Sequence, residues 1–290
     1  MKVALYSNRF NQAWFPFLEN LIEILLKKEF EVVLCKKLFD EVKSQTFSSL
    51  TFIEEERLSD LNPDILITIG GDGTLLSSIQ YIINSRIPIM GINTGRLGFL
   101  ASVYKEEIDS ALEFLKQQKF VYDKRTLLQI ETPKGLFGNV DFALNELTIH
   151  KNEVASMITI HAYIDNQYLN SYWADGLIIS TPTGSTAYSL SCGGPIVLAD
   201  TDTFIVTPIA PHNLNVRPMV ISDRKKITLK IEGRSHKYLV SLDSHSNYID
   251  ADTELTISKS PFTISLIKLE GYTFFDTIRN KLLWGIDRRN

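Results

Sequence analysis

Cysteine is scarce in this chain of 290 residues: Cys35 and Cys192 are its only two, and neither sits in a C-x-x-C pair or beside a histidine cluster. Both read as reduced structural thiols, which excludes a disulfide-stapled secreted fold and a thiolate metal site. The five histidines, His150, His161, His212, His236 and His245, show no metal-ligand spacing, so no metal is assigned to protein side chains. No apolar run approaches the roughly 18 residues of a membrane-spanning helix. The opening MKVALYSNRF holds one lysine and a strand-length apolar run, too short for a signal-peptide core. The expected setting is the cytoplasm, with no membrane partner. A cationic surplus is also missing, since 30 Lys and Arg against 34 Asp and Glu leave a net charge of −4. That gives no reason to expect nucleic acid, and an anionic ligand must be met by local cations.

What is present is ordinary for a globular protein, with 44% hydrophobic and 22% charged residues. The length leaves room for two domains. The stretch DILITIGGDGTLL at 64–76 organises the first of them. Ile65, Leu66, Ile67 and Ile69 form a nearly continuous apolar run, the pattern of a strand covered on both faces in a parallel sheet. Gly70, Gly71 and Gly73 let a ligand approach the backbone closely. Thr74 resembles an N-cap, and Leu75, Leu76, Ile79, Ile82 and Ile83 supply a helical apolar face. Asp72 is therefore expected at a helix N-terminus, beside free N–H groups that favour its ionised form. The loop is neither a Walker A motif, for no Gly-Lys-Ser/Thr follows, nor a G-x-G-x-x-G, because Leu76 stands at its last position. An anionic side chain suits a carboxylate that accepts a hydroxyl proton better than a phosphate cradle. A mere helix cap is the structural alternative.

Around that stretch, 2–6, 30–35 and 87–92 read as strands and 15–28 and 106–118 as helices, with a weakly patterned polar segment over 36–60. Alternating strands and helices predict a parallel α/β sheet with ligand groups at the carboxyl ends of its strands. From Thr126 the texture changes to short apolar runs at 127–131, 147–150, 157–164, 177–180, 204–207, 227–231, 238–242 and 263–268, separated by turn residues. That spacing predicts an all-β second domain, sandwich-like in kind. The tail regains a helical pattern at Phe275, Ile278, Leu282 and Leu283, expected to pack back on the first domain. The expected division is 1–122 joined by the tail 271–290, and 123–270.

Four further stretches carry candidate chemistry. In NTGRLGFL at 93–100, Gly95 and Gly98 bracket Arg96 and lead to Phe99, as suits an arginine laid on a phosphate and an aromatic against a flat base. Asn145 and Glu146 together offer an amide and a carboxylate to a ribose diol or an adenine edge, or else form a polar turn. The run WADGLIISTPTGSTAYSLSCGGP at 173–195 crowds small hydroxyls around Tyr188, suited to a polar, uncharged ligand such as a nucleoside. It contains no G-x-S-x-G, which argues against a serine hydrolase. PIAPHNLNVRP at 208–218 sets three prolines around His212 and Arg217, where a lone histidine is more often structural.

Taken together these motifs resemble the NAD kinase family of bacteria and organelles. The matching segments are GGDGT at 70–74, NTGRLGFL at 93–100, YDKRTLL at 122–128, NE at 145–146, DGLIISTPTGSTAYSLSCGGP at 175–195, APHNLNVRP at 210–218 and KLLWG at 281–285. GGDGT is also shared with diacylglycerol, sphingosine and phosphofructokinase-like kinases; the hydroxyl-rich run is the specific one. The resemblance implies transfer of the ATP γ-phosphoryl group to the 2′-hydroxyl of the adenosine ribose of NAD, with Asp72 as the base. It implies dinucleotide contacts from Gly73, Phe99, Asn145, Glu146, Asp175, Thr186, Ala187, Tyr188, Ser189, Leu190 and Ser191, and at less constrained positions from Ser156, Ala210 and His245. It further implies Mg²⁺ or another divalent cation accompanying ATP, and a homodimer or homotetramer. Three positions depart from the family pattern: Trp173 replaces a frequent Arg or Lys, Asn215 a serine, and Asp243-Ser244-His245 the frequent Asp-Gly-Gln.

Overall fold

The computed structural model describes residues 1–8, 11–42, 50–83, 85–95, 98–101, 103–152, 156–271 and 273–283. The chain divides into one unit of Met1–Lys124 with Ile264–Asn290 and another of Arg125–Thr263. The divisions fall inside the long strands Phe120–Thr132 and Leu255–Leu269.

The first unit is built on a parallel sheet. Lys2–Tyr6 lies between Glu31–Cys35 on one side and Ile65–Gly70 on the other, and Thr51–Ile53 flanks Glu31–Cys35. Ile89–Asn93 pairs with Ile65–Gly70, and Leu266 of the long C-terminal strand pairs in parallel with Ile89. All six residues of Ile65–Gly70 are buried, which is why its sequence is a continuous apolar run rather than an alternating one. Helix Phe15–Lys27 covers the sheet through Leu18, Leu21, Ile22 and Leu25, and Ile108–Lys116 does so through Ile108, Ala111, Leu112 and Leu115. Their i, i+3/i+4 spacing is the pattern of an amphipathic helix on a core. The strand order reverses direction at Lys2–Tyr6, so the carboxyl ends of this strand and of Ile65–Gly70 border the crevice where open α/β sheets hold ligands. The polar segment 36–60 holds more order than its pattern suggests, with helix Lys36–Val42, strand Thr51–Ile53 and helix Leu58–Leu61. The tail helix Phe274–Leu282 belongs to this unit and buries Ile278.

The second unit is antiparallel. Met219–Ser222, Thr203–Ile209, Gly176–Ser180, Glu146–His150, Lys237–Leu242 and His245–Asp250 form a six-stranded sheet in that order. A second group runs Gln167–Ala174, Ile158–Ile164, Ile227–Glu232 and the first half of Leu255–Leu269. Leu147, Ile149, Leu177, Ile179, Val206 and Val240 of the first sheet share one core with Ile158, Ile160, Leu229, Ile231, Leu255 and Ile257 of the second. Strands Gln167–Ala174, Met219–Ser222 and His245–Asp250 have no counterpart among the sequence-predicted runs, because their exposed positions interrupt the apolar pattern.

Candidate active site

In the first unit the site grows from the end of Ile65–Gly70. Gly71 is the N-cap of helix Asp72–Ser78, one turn earlier than the Thr74 cap expected from sequence. Thr74 lies inside the helix and donates to Asn8 Oδ1 at 2.9 Å, which ties the loop after the first strand to the glycine loop. Asp72 is thus at the helix N-terminus, but its carboxylate is held by another segment. Oδ2 accepts the Phe99 N–H at 2.8 Å, and Oδ1 accepts those of Leu100 and Ala101 at 3.1 and 2.9 Å. Gly98 permits this approach, since a Cβ there would lie 1.8 Å from Asp72 Oδ1. A carboxylate has about four lone-pair directions, and three are filled. Among the described residues the open one belongs to Oδ2, which has a single donor. The Phe99 ring carries the Lys281 ammonium 4.2 Å from its centroid, so the tail helix grips the same loop. A Cβ at Gly73 would meet nothing within 4 Å, leaving open space beside Asp72. Arg96, Trp284 and Gly285 lie outside the described residues.

In the second unit Glu146–His150 directs Leu147 and Ile149 into the core, so Glu146, Thr148 and His150 share the opposite face by strand alternation. The segment 181–194 contacts groups of this sheet. His150 stacks on Tyr188 with centroids 5.7 Å apart, and Ser189 Oγ lies 2.9 Å from Thr207 Oγ1. Ser189 is therefore buried and already hydrogen-bonded, whereas Tyr188 and Ser191 are exposed and Thr186, Ala187 and Leu190 are partly so. Thr186 Oγ1 donates back to the Thr183 carbonyl, and Arg125, buried, donates to Thr183 Oγ1 at 3.2 Å. Asp175 meets Lys151 Nζ at 2.6 Å. Ala210, exposed with φ 43°, follows Thr203–Ile209; Ser156 and His245 are half-buried.

Glu146 is the electrostatic centre of this face. Burial, and then the nearby Asp243 carboxylate, push its carboxyl up to about 8, although the Tyr188 backbone N–H acts against the shift. Its Oε2 is buried with no hydrogen-bond partner among the described residues. Burial pushes His150 down, opposed by Asp175, and raises Tyr188 and Cys192. Trp173, where the resemblance leads one to expect a cation, stacks on His212 at 4.2 Å and accepts that residue's N–H at its carbonyl.

Two family models match, the ATP-NAD kinase N-terminal domain over residues 11–120 and the ATP-NAD kinase C-terminal domain over residues 144–269. The chain belongs to the NAD kinase family. NAD kinase of Cytophaga hutchinsonii is 44% identical over 292 residues, and that of Christiangramia forsetii 45% over 294, each alignment covering both chains in full. Among solved structures, an NAD kinase from Archaeoglobus fulgidus in complex with ATP superposes with a TM-score of 0.78 at 28% identity, covering 98% of this chain and 99% of that one. Yeast NADH kinase complexed with NADH shares the fold, with a TM-score of 0.87 at 23% identity over 99% of this chain and 88% of that one. The chain is thus a phosphotransferase of the NAD kinase family, and no helix among the described residues is long and apolar enough to cross a membrane. Among the described residues the one group of three close carboxylates is the Glu54–Glu56 run of the first unit, in which Glu55 is buried. Sequence reasoning missed Gly98 as the contact of Asp72, Lys281 as the partner of Phe99, and Arg125. The pairs Gly98–Asp72, Lys281–Phe99 and Arg125–Thr183 are long-range, and such pairs leave no mark on local pattern.

Proposed function

We propose that this NAD kinase transfers the γ-phosphoryl group of Mg-ATP to the 2′-hydroxyl of the adenosine ribose of NAD, with Asp72 taking the hydroxyl proton. The hydroxyl oxygen bonds to the γ-phosphorus as the bond to the β,γ-bridging oxygen breaks; ADP leaves and the proton passes to Asp72 Oδ2. The observation that carries this reading is the open lone pair on Oδ2 of a carboxylate whose other three acceptor positions are pinned. A base must be oriented as well as present, and three amides orient this one. Asn145, Glu146, Asp175 and the exposed part of 186–191 are assigned to the dinucleotide. A carboxylate with an unpartnered buried oxygen is suited to a sugar hydroxyl, and the aromatic Tyr188 to a base or ribose face. Phosphoryl transfer asks the protein mainly for positioning and charge, so the lack of a Walker lysine is no obstacle when Mg²⁺ arrives on the triphosphate.

Asp72→Asn tests the base. The expected result is a fall in kcat of about 10²–10⁴-fold with NAD affinity by calorimetry retained. Full activity in that variant removes Asp72 from the chemistry. We further assign the protein to the cytoplasm as a homodimer or homotetramer. In support, Leu214 is 84% exposed and edge-strand residues Met219 and Val220 are 43% and 46% exposed, apolar surface suited to self-association. Light scattering of the purified protein at one protomer mass would refute the oligomer.

A further inference from the structure

We propose that Asp243 is the positioning residue for the Asn145–Glu146 pair, holding three successive backbone amides so that both side chains stand ready before the dinucleotide arrives. The proposal rests on the reading that Asn145 and Glu146 contact NAD.

Asp243 occupies the hairpin turn between Lys237–Leu242 and His245–Asp250, with φ 50°. Its Oδ2 accepts the Leu144 N–H at 2.8 Å, and its Oδ1 accepts those of Asn145 and Glu146 at 2.9 and 3.1 Å. Its own N–H donates to the Glu146 carbonyl at 3.0 Å. The carbonyls on the other side are held as firmly. Thr181 Oγ1 donates to Leu144 O at 2.5 Å, and the Thr181 N–H to Asn145 O at 2.9 Å. A Cβ on Gly184 would lie 2.2 Å from that same Asn145 carbonyl, so the 181–184 turn closes against it without slack. Segment 144–146 therefore has its amides and carbonyls tied by two segments remote in sequence. Rotating any one peptide would strand a polar group away from water, at the cost of a hydrogen bond.

The same carboxylate acts on Glu146 through charge. Groups facing Glu146 are Asp243 with His245 beside it, and Tyr188 and Cys192 from the 188–192 segment. Burial chiefly, and Asp243 next, push Glu146 up to about 8. Burial also pushes Asp243 up to about 6, against the pull of the three amides and His245. At neutral pH ligand-free Glu146 therefore keeps its proton while Asp243 is largely ionised. A ribose diol gripped by the Glu146 carboxylate requires that proton to leave, so NAD binding strengthens as pH rises through about 8. Asp243 sets where the pair stands and adds to the effect of burial on the pH at which it grips.

Steady-state kinetics of Asp243→Asn in the full chain test this. Asparagine keeps one acceptor oxygen for the amides but removes the charge. Read above pH 9, where Glu146 is ionised in both proteins, the expected result is a rise in the KM for NAD of about fivefold, one hydrogen bond's worth, with the KM for Mg-ATP unchanged. The pH midpoint of kcat/KM for NAD falls, because the repulsion on Glu146 is gone. An unchanged KM for NAD, or an unmoved midpoint, overturns the proposal. Should Asp243→Asn fail to fold, the wild-type protein answers by amide NMR. The 144–146 amide protons are expected to titrate together near pH 6, and three flat curves there refute the clamp. Failure of the underlying reading looks different: Asn145→Ala and Glu146→Gln would then leave the KM for NAD untouched, whatever Asp243→Asn does.

Discussion

Two aspartates in this protein use one device. Asp72 accepts the amides of three successive residues, 99 to 101, and Asp243 those of 144 to 146. Consecutive N–H groups that converge form a concave anion site, and a carboxylate filling it fixes both itself and the loop. For Asp72 this makes Gly98 a test. Gly98→Ala places a methyl group 1.8 Å from Oδ1, so loop or carboxylate must move. A displacement on the order of 1 Å at a reacting group costs roughly 10²-fold in rate. Gly98→Ala is expected to lower kcat by about that factor while the protein remains folded by circular dichroism; wild-type kcat would show that the clamp is irrelevant to turnover. Asp72 was legible in the sequence because glycines bracket it after an apolar strand. Its true partners were not legible, since the sequence offered the helix's own N–H groups and the structure uses a loop 27 to 29 residues away.

At the scale of elements, the second unit holds an ion pair, buried at its aspartate, that ties the connection between its two sheets to its longest strand. Asp223 follows Met219–Ser222, its side chain fully buried, and Lys259 of Leu255–Leu269 meets it at 2.5 Å. Lys259 also reaches the exposed Asp202 at 3.4 Å, and these carboxylates raise its pKa, Asp223 foremost. Removing one partner of such a pair leaves a buried charge and costs about 3–5 kcal/mol. Lys259→Met is therefore expected to lower the thermal midpoint of the ligand-free protein by several degrees, at roughly 2–4 °C per kcal/mol. Adding Asp223→Asn should recover much of the loss, because the stranded charge is then gone. Equal midpoints for wild type and Lys259→Met would show that the pair contributes nothing. The tail helix illustrates a local rule obeyed: Thr273 and Asp276 form a capping box at its start, and that start was visible from Phe275 and Ile278 onward.

For the whole molecule the distinctive quantity is the pH dependence of stability. Glu146 and Asp243 are acids whose folded pKa values lie above the ordinary carboxylate range, at about 8 and about 6. The folded state then binds more protons than the unfolded one. Their contribution to stability is present in acid and is lost as pH rises through those values. His150, pushed down, acts in the opposite sense across the ordinary imidazole range. Comparing wild type with Glu146→Gln isolates the glutamate. The variant's thermal midpoint is expected to gain on wild type by about 5–10 °C between pH 6 and 9. Parallel curves would mean that Glu146 is ionised throughout.

By itself the sequence determined the class of each unit and the family. A strand-length continuous apolar run bounded by turn residues is the pattern of a strand covered on both faces, and short apolar runs between turns that of half-buried strands, so both sheets follow from local pattern. Glycines and hydroxyls in a run such as 181–194 likewise betray close backbone approach and polar contact. Tertiary structure alone decided which groups those segments meet. It set Gly98 against Asp72, Asp243 beneath Asn145 and Glu146, Thr181 on their carbonyls, and Lys281 over Phe99. It also turned Ser189, one hydroxyl among many in the sequence, inward onto Thr207. Periodicity reports only which face of an element is dry. The partners on the other face come from chain segments up to roughly 180 residues away, and only folding brings them within hydrogen-bonding distance.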